Sequence, residues 1–155
     1  MARNDANGLE VGSEPAGRPD ACQFAVRRLT LTDFRCYAWL RMDVAANAVV
    51  LTGPNGAGKT NVLEALSLLM PGRGLRRAKL SEISRDAPAA GDTERPRSWA
   101  VAARTAGVDA PLDIGTGFQA SVDGGAERRT IKIDGETERA QAALAGVMSM
   151  HWLTP

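Results

Sequence analysis

The chain predicts an α/β protein built around a phosphate-binding loop, and three adjoining segments predict it. Ala48-Val49-Val50-Leu51-Thr52 is a short apolar run with β-branched residues, as expected of a buried strand. Gly53-Pro54-Asn55-Gly56-Ala57-Gly58-Lys59-Thr60 follows at once and reads G-x-x-x-x-G-K-T. Val62, Leu63, Ala65, Leu66, Leu69 and Met70 then recur at helical spacing, with Glu64 and Ser67 between them, until Pro71-Gly72 stops the helix. Strand, glycine loop and helix in that order form the context in which such a loop holds phosphate.

The chemistry of the loop follows from its residue types. Its glycines allow turns closed to other residues, so that successive N–H groups face one concave site. Those groups and the N-terminus of the following helix attract phosphate. Lys59 is a point charge with reach to the β- and γ-phosphates, and the Thr60 hydroxyl is a candidate Mg²⁺ ligand.

The remaining elements fall on either side. Met1 to about residue 22 is polar, with Gly8, Gly12, Pro15, Gly17 and Pro19, and is expected to be a disordered extension. Residues 23–155 form the folded part. Phe24, Val26, Leu29 and Leu31 predict a strand with one irregularity, Asp33-Phe34-Arg35 a turn, and Trp39, Leu40, Met42 and Val44 a second strand. Leu80-Ser81-Glu82-Ile83 is a candidate short helix, and Ala87 to Arg97 an exposed loop. Trp99 to Ala103, Ile114 to Val122 and Arg129 to Ile133 read as strands of an antiparallel meander, the last ending at an Asp134-Gly135 turn. A short helix over Ala140 to Val147 and a strand starting near Met148 complete the pattern.

Composition narrows the functional classes. The 155 residues carry a net charge of +1, so any surface for nucleic acid must be local. Arg73, Arg76, Arg77 and Lys79 supply such a cluster, with no acid among them. Trp39, Trp99 and Trp152 do not interleave with it as a stacking platform does and are read as core. Cys22 and Cys36 lack metal-site spacing, and the single His151 has no ligand partner nearby. There is no apolar signal core and no run long enough to cross a bilayer, which makes a cytoplasmic protein the default. No nucleophilic triad is visible, so phosphoryl transfer to water is the one chemistry the residues suggest.

Three stretches carry a family resemblance: Leu29-Thr30-Leu31-Thr32-Asp33-Phe34-Arg35-Cys36-Tyr37, Gly53 through Glu64, and Gly72-Arg73-Gly74-Leu75-Arg76. They resemble the RecF family of DNA replication and repair proteins, whose heads are similar to those of structural-maintenance-of-chromosomes proteins, a branch of the ABC-type ATPases. Within that group Asn61 and Glu64 are common positions, and Cys36 stands where asparagine is frequent. The resemblance runs from about Leu29 to Pro155, strongly as far as Arg77 and weakly through the meander. It implies an ABC/SMC-like ATPase head, truncated before the Walker B region. The nearest imitation of that region, Thr130 to Asp134, is interrupted by Lys132 and ends in a turn, whereas a Walker B strand is buried on both faces.

By resemblance, Gly53, Pro54, Asn55, Gly56, Ala57, Gly58, Lys59, Thr60 and Asn61 would bind ATP with Mg²⁺. Arg35 would approach the nucleotide, or else be a surface residue of its turn. Arg73, Arg76, Arg77 and Lys79 would contact DNA. The implied function is ATP-dependent binding of gapped or single-stranded DNA in replication, recombinational gap repair and the SOS response. ATP would act through a homodimer of heads, and RecR and RecO would be partners. The alternatives are a truncated, non-catalytic nucleotide-binding module and a small P-loop kinase. The meander disfavours the kinase, because such enzymes continue with alternating helices and parallel strands.

These readings carry a first prediction. The 155-residue chain should hydrolyse ATP poorly or not at all, because it shows one Mg²⁺ ligand and no water-positioning carboxylate. A steady-state phosphate-release assay checks this, and hydrolysis that disappears in Lys59→Ala would refute it.

Overall fold

The computed structural model describes residues 10–14, 25–45, 48–85, 97–106, 110–121, 126–146 and 150–152. Its frame is a six-stranded antiparallel sheet, formed by β2 (Ala25–Phe34), β3 (Tyr37–Asp43), β5 (Ser98–Ala106), β6 (Leu112–Gln119), β7 (Arg129–Ile133) and β8 (Glu136–Glu138). The spatial order is β3-β2-β5-β6-β7-β8, so β5 to β8 make the meander and β2 and β3 add a hairpin at its edge. The two remaining strands, β1 (Glu10–Glu14) and β4 (Ala48–Thr52), pair with each other. Helix α1 (Lys59–Ser67) follows β4, α2 (Leu80–Ile83) precedes β5, and a 3₁₀ helix spans Gln141–Gly146.

Alternation along the strands places the core. In β5, Trp99, Val101, Ala103 and Thr105 are buried, while Ala100, Ala102 and Arg104 are exposed. Leu29, Leu31, Leu40, Met42, Ile114, Phe118 and Ile131 join them in one apolar cluster. Val62, Ala65, Leu68 and Leu69 of α1 and its exit, Ile83 of α2 and Leu144 complete it. Phe34 is 0% exposed and meets Trp99 edge to face, with centroids 5.7 Å apart and rings inclined at 86°. That geometry adds about 1 kcal/mol to the burial itself. The Trp99 indole N–H donates to Leu80 O at 2.8 Å, which seats α2 over the pair.

Several expectations hold. The irregularity in the first strand is a register shift between Val26 and Arg28, where β2 meets β5. Asp134 and Gly135 both take positive φ, 49° and 85°, in the turn between β7 and β8. The Asp134 carboxylate accepts the Asp113 N–H at 2.9 Å, a hairpin role that leaves nothing of a Walker B strand.

Others are corrected. Glu10–Glu14 is a strand within the segment expected to be disordered, because the backbone of β4 offers it a ladder from Glu10↔Thr52 to Glu14↔Ala48. β4 is not buried: Val49 and Val50 are 40% and 59% exposed. α1 ends at Ser67 rather than at Pro71, and the Ser67 hydroxyl turns back to Glu64 O. Trp39 and Trp152 are exposed and only Trp99 is core. Leu40 and Met42 fix the parity of β3 and so turn Trp39 outward. Met150 to Trp152 carries no strand, and most of the expected 87–97 loop lies outside the described residues. No helix among the described residues is long and apolar enough to cross a membrane.

Phe34→Ala should lower unfolding stability by about 3–5 kcal/mol, since it removes a fully buried ring and its aromatic partner. Thr32→Ala, two residues away on the exposed face, should change it by no more than about 0.5 kcal/mol. Urea denaturation of the two variants measures the difference.

Candidate functional site

The segment Gly53 to Gly58 joins β4 to α1 in a turn that needs left-handed backbone at several points. Gly53, Gly56 and Gly58 have φ of 140°, 86° and 95°. Gly58 is doubly constrained, because a Cβ there would also collide with the Tyr37 hydroxyl and with Cys36 Sγ. The Tyr37 hydroxyl in turn donates to Ala57 O at 3.2 Å, so the floor of the loop rests on the β2–β3 hairpin.

Helix α1 starts at Lys59. The N–H groups of Asn61 and Val62 close its first turn onto Gly58 O, at 2.8 and 3.1 Å. No side chain caps this terminus and its first turn holds no acid, so the positive end of the helix faces the loop uncompensated. Lys59 Nζ reaches over the loop and donates to Gly53 O at 2.7 Å and Pro54 O at 2.8 Å. Thr60, next to it, is exposed. Asn61 faces another way: its amide N–H donates to Cys36 Sγ at 3.2 Å, and its carbonyl oxygen accepts Arg76 Nη1 at 3.1 Å.

The strongest electrostatic feature lies beneath the loop. Glu64 is 1% exposed, on the helix face that packs into the core. Arg35 grips it through two parallel hydrogen bonds, Nε to Oε2 at 3.0 Å and Nη2 to Oε1 at 2.6 Å. Arg76 Nη1 adds a third to Oε2 at 3.2 Å. Arg35 also donates from Nη1 to Glu82 O at 2.8 Å, and its backbone N–H bonds Ile83 O at 2.8 Å. Arg35 is thus a half-buried residue of its turn, tied into the core and not loose on the surface. Its guanidinium is engaged by Glu64 and α2, and it positions α1 against the hairpin.

The four cations of residues 73–79 do not form one patch. Arg76 is tied to Glu64 and Asn61. Arg77 and Trp152 line an open cleft on one side of the Gly72–Gly74 turn, Lys79 lines a cleft on the other, and Arg73 borders both. The turn itself is built by Gly74, at φ 72°, and by the buried Ser67 hydroxyl, which accepts the Leu75 N–H at 2.7 Å. Among the described residues no cluster of His, Cys, Asp or Glu could hold a metal ion, and His151 is exposed. The sequence reading assigned no task to Glu64, Tyr37 or Ser67. A carboxylate and a serine lying within an otherwise apolar helix face were the signal.

The AAA domain family model matches residues 28–141. Relatives include the DNA replication and repair protein RecF of Caulobacter vibrioides, 48% identical over 132 residues, which covers 84% of this chain and 32% of that protein. RecF of Mesorhizobium japonicum is 45% identical, covering 86% of this chain and 33% of that one. The chain therefore spans about a third of the length of the curated relatives it matches. A solved structure of the recombination mediator RecF with ATPrS in the RecFOR pathway superposes with a TM-score of 0.58 at 20% identity, over 79% of this chain and 30% of its own. A second, RecF with ATP, gives 0.56 at 19% identity, over 82% and 32%. At these identities the likeness shows a shared fold.

Glu64→Ala should cost about 3–5 kcal/mol of stability, because it leaves a guanidinium desolvated without its counter-charge. Arg76→Ala should cost about 1 kcal/mol or less, since that side chain is 44% exposed and its pairing is screened by solvent. Urea denaturation orders the two, and equal costs would contradict the clamp.

Proposed function

The chain belongs to the AAA domain family, and we propose that it is the ATP-holding part of a RecF-type DNA replication and repair protein. The observation that carries this reading is the loop itself: glycines with positive φ, an uncapped helix terminus, and Lys59 lying across the mouth. Kinship with proteins named for DNA replication and repair supplies the biological setting.

In this reading Lys59 would exchange the Gly53 and Pro54 carbonyls for the β- and γ-phosphates of ATP. The N–H groups at the start of α1 hold the same phosphates. The exposed Thr60 hydroxyl would supply one oxygen to Mg²⁺, and the phosphates most of the rest, which suits a cation that is seldom held by side chains alone. Held by these residues, ATP and Mg²⁺ would supply a charged surface for a second head to close over. Glu64, on the same helix, is committed to Arg35 and Arg76 and is no base for activating water. We therefore assign the nucleotide the task of a switch for residence on DNA, exercised through a homodimer. Gapped or single-stranded DNA, the mediators RecR and RecO, gap repair, the SOS response and a cytoplasmic setting complete the proposal on the strength of kinship.

Lys59→Ala should weaken ATP binding by at least about tenfold, because it removes a charge-assisted contact that is worth about 1.5–3 kcal/mol. Lys59→Arg should fall between the two, since a planar fork fits poorly where a point charge serves. Titration with a fluorescent ATP analogue measures both. Unchanged affinity in Lys59→Ala would overturn the assignment.

A further inference from the structure

A cleft of about 490 Å³ lies between the Gly72–Leu80 segment, the hairpin β7–β8 and the 3₁₀ helix. Its frame is fixed without the use of its outer cations. Arg129, in its wall, donates from Nη1 to Gly72 O at 3.0 Å and from Nη2 to Met70 O at 3.1 Å. The Gln141 side-chain oxygen accepts the Gly72 N–H at 3.0 Å. Arg129 is therefore a largely buried guanidinium bonded to neutral carbonyls, with a buried Nε that has no partner among the described residues. Burial lowers its pKa, the mark of a cation short of negative charge.

Around that wall stand Arg73, Lys79, Arg128 and Arg139, all exposed, with Lys79 in electrostatic reach of Glu127. Two carboxylates share the lining. Glu127 is already engaged by Ser81 and by the Leu80 N–H at 3.0 Å, which with the nearby Lys79 hold its pKa down. Glu138 is half-buried opposite Ile131. Among the described residues that line it, five cations against two carboxylates leave the cleft net positive. The exposed four come from separate stretches of chain and ring an open groove, an arrangement suited to an extended polyanion more than to a single enclosed phosphate.

We propose that this cleft grips the sugar-phosphate backbone of DNA through Arg73, Lys79, Arg128 and Arg139. The proposal rests on the DNA-binding reading above and replaces its linear cation cluster with a surface. Arg128, just before β7, and Arg139, just after β8, join it, while Arg76 leaves it for Glu64. Each phosphate contact adds about 0.9 to the slope of log affinity against log salt.

The test is fluorescence anisotropy of a labelled gapped duplex with the protein at 50 to 200 mM salt. Between those limits Arg128→Ala/Arg139→Ala should lose about tenfold less affinity than the wild type, because two counterion-releasing contacts are gone. Arg128→Lys/Arg139→Lys should keep the wild-type slope. So should Lys132→Ala, whose side chain lies on the opposite sheet face from Ile131 and the cleft. ATP affinity should be the same in all of them. A wild-type slope in the alanine pair, or a lost slope in the lysine pair, overturns the cleft and leaves the DNA reading standing. A wild-type protein that binds no DNA overturns that reading, and the cleft with it.

Discussion

The buried carboxylate of Glu64 is the constraint on which the candidate site depends. A charge placed in the core must be paired, and its two partners come from opposite directions along the chain. Arg35 brings the β2–β3 hairpin and α2, through Glu82 O and Ile83 O. Arg76 brings the turn that follows α1. One side chain on α1 thus fixes how the helix is rotated, which elements flank it and where its N-terminus points. The arrangement adds little net stability compared with an apolar replacement, but it gives one orientation an advantage that shape-tolerant apolar contacts would not.

Above that clamp the loop has a second support. Tyr37 fills the space under Gly58 and bonds Ala57 O, so the loop backbone lies directly on the sheet hairpin. Cys36 beside it meets Asn61. The strand that carries these residues is the edge of the six-stranded sheet, and β2 behind it is joined to the whole meander. A displacement of the loop is therefore transmitted to the hairpin first and to α2 next, through packed side chains and hydrogen bonds.

What could be read from the sequence follows the range of the forces involved. The loop and its helix were legible because eight consecutive residues determine them. The meander was legible because each strand alternates on its own, and even the irregularity near Val26 left a break in the pattern. Non-local partnerships were not. Arg35 finds Glu64 at a separation of 29 residues, and nothing in its turn announces that partner. Trp39 was misplaced because an apolar ring was given more weight than the parity set by Leu40 and Met42. β1 was missed because a polar segment forms a strand when another strand offers its backbone, which composition does not reveal. The basic cluster was legible as charge but not as a surface, since the path of residues 72–80 sends its cations to different sides.

The hold of Lys59 on the Gly53 and Pro54 carbonyls has a consequence for selectivity. A ligand entering this loop competes with the protein's own oxygens, not merely with water. Its gain is the difference between two sets of charge-assisted hydrogen bonds, so the net free energy is smaller than the new contacts alone suggest. A ligand with one phosphate brings little that the two carbonyls do not already provide. A chain of phosphates brings several oxygens with full negative charge, and these also meet the free end of α1. The loop therefore screens its ligands by how many anionic oxygens they present together, before any part of the site reads the base or the sugar.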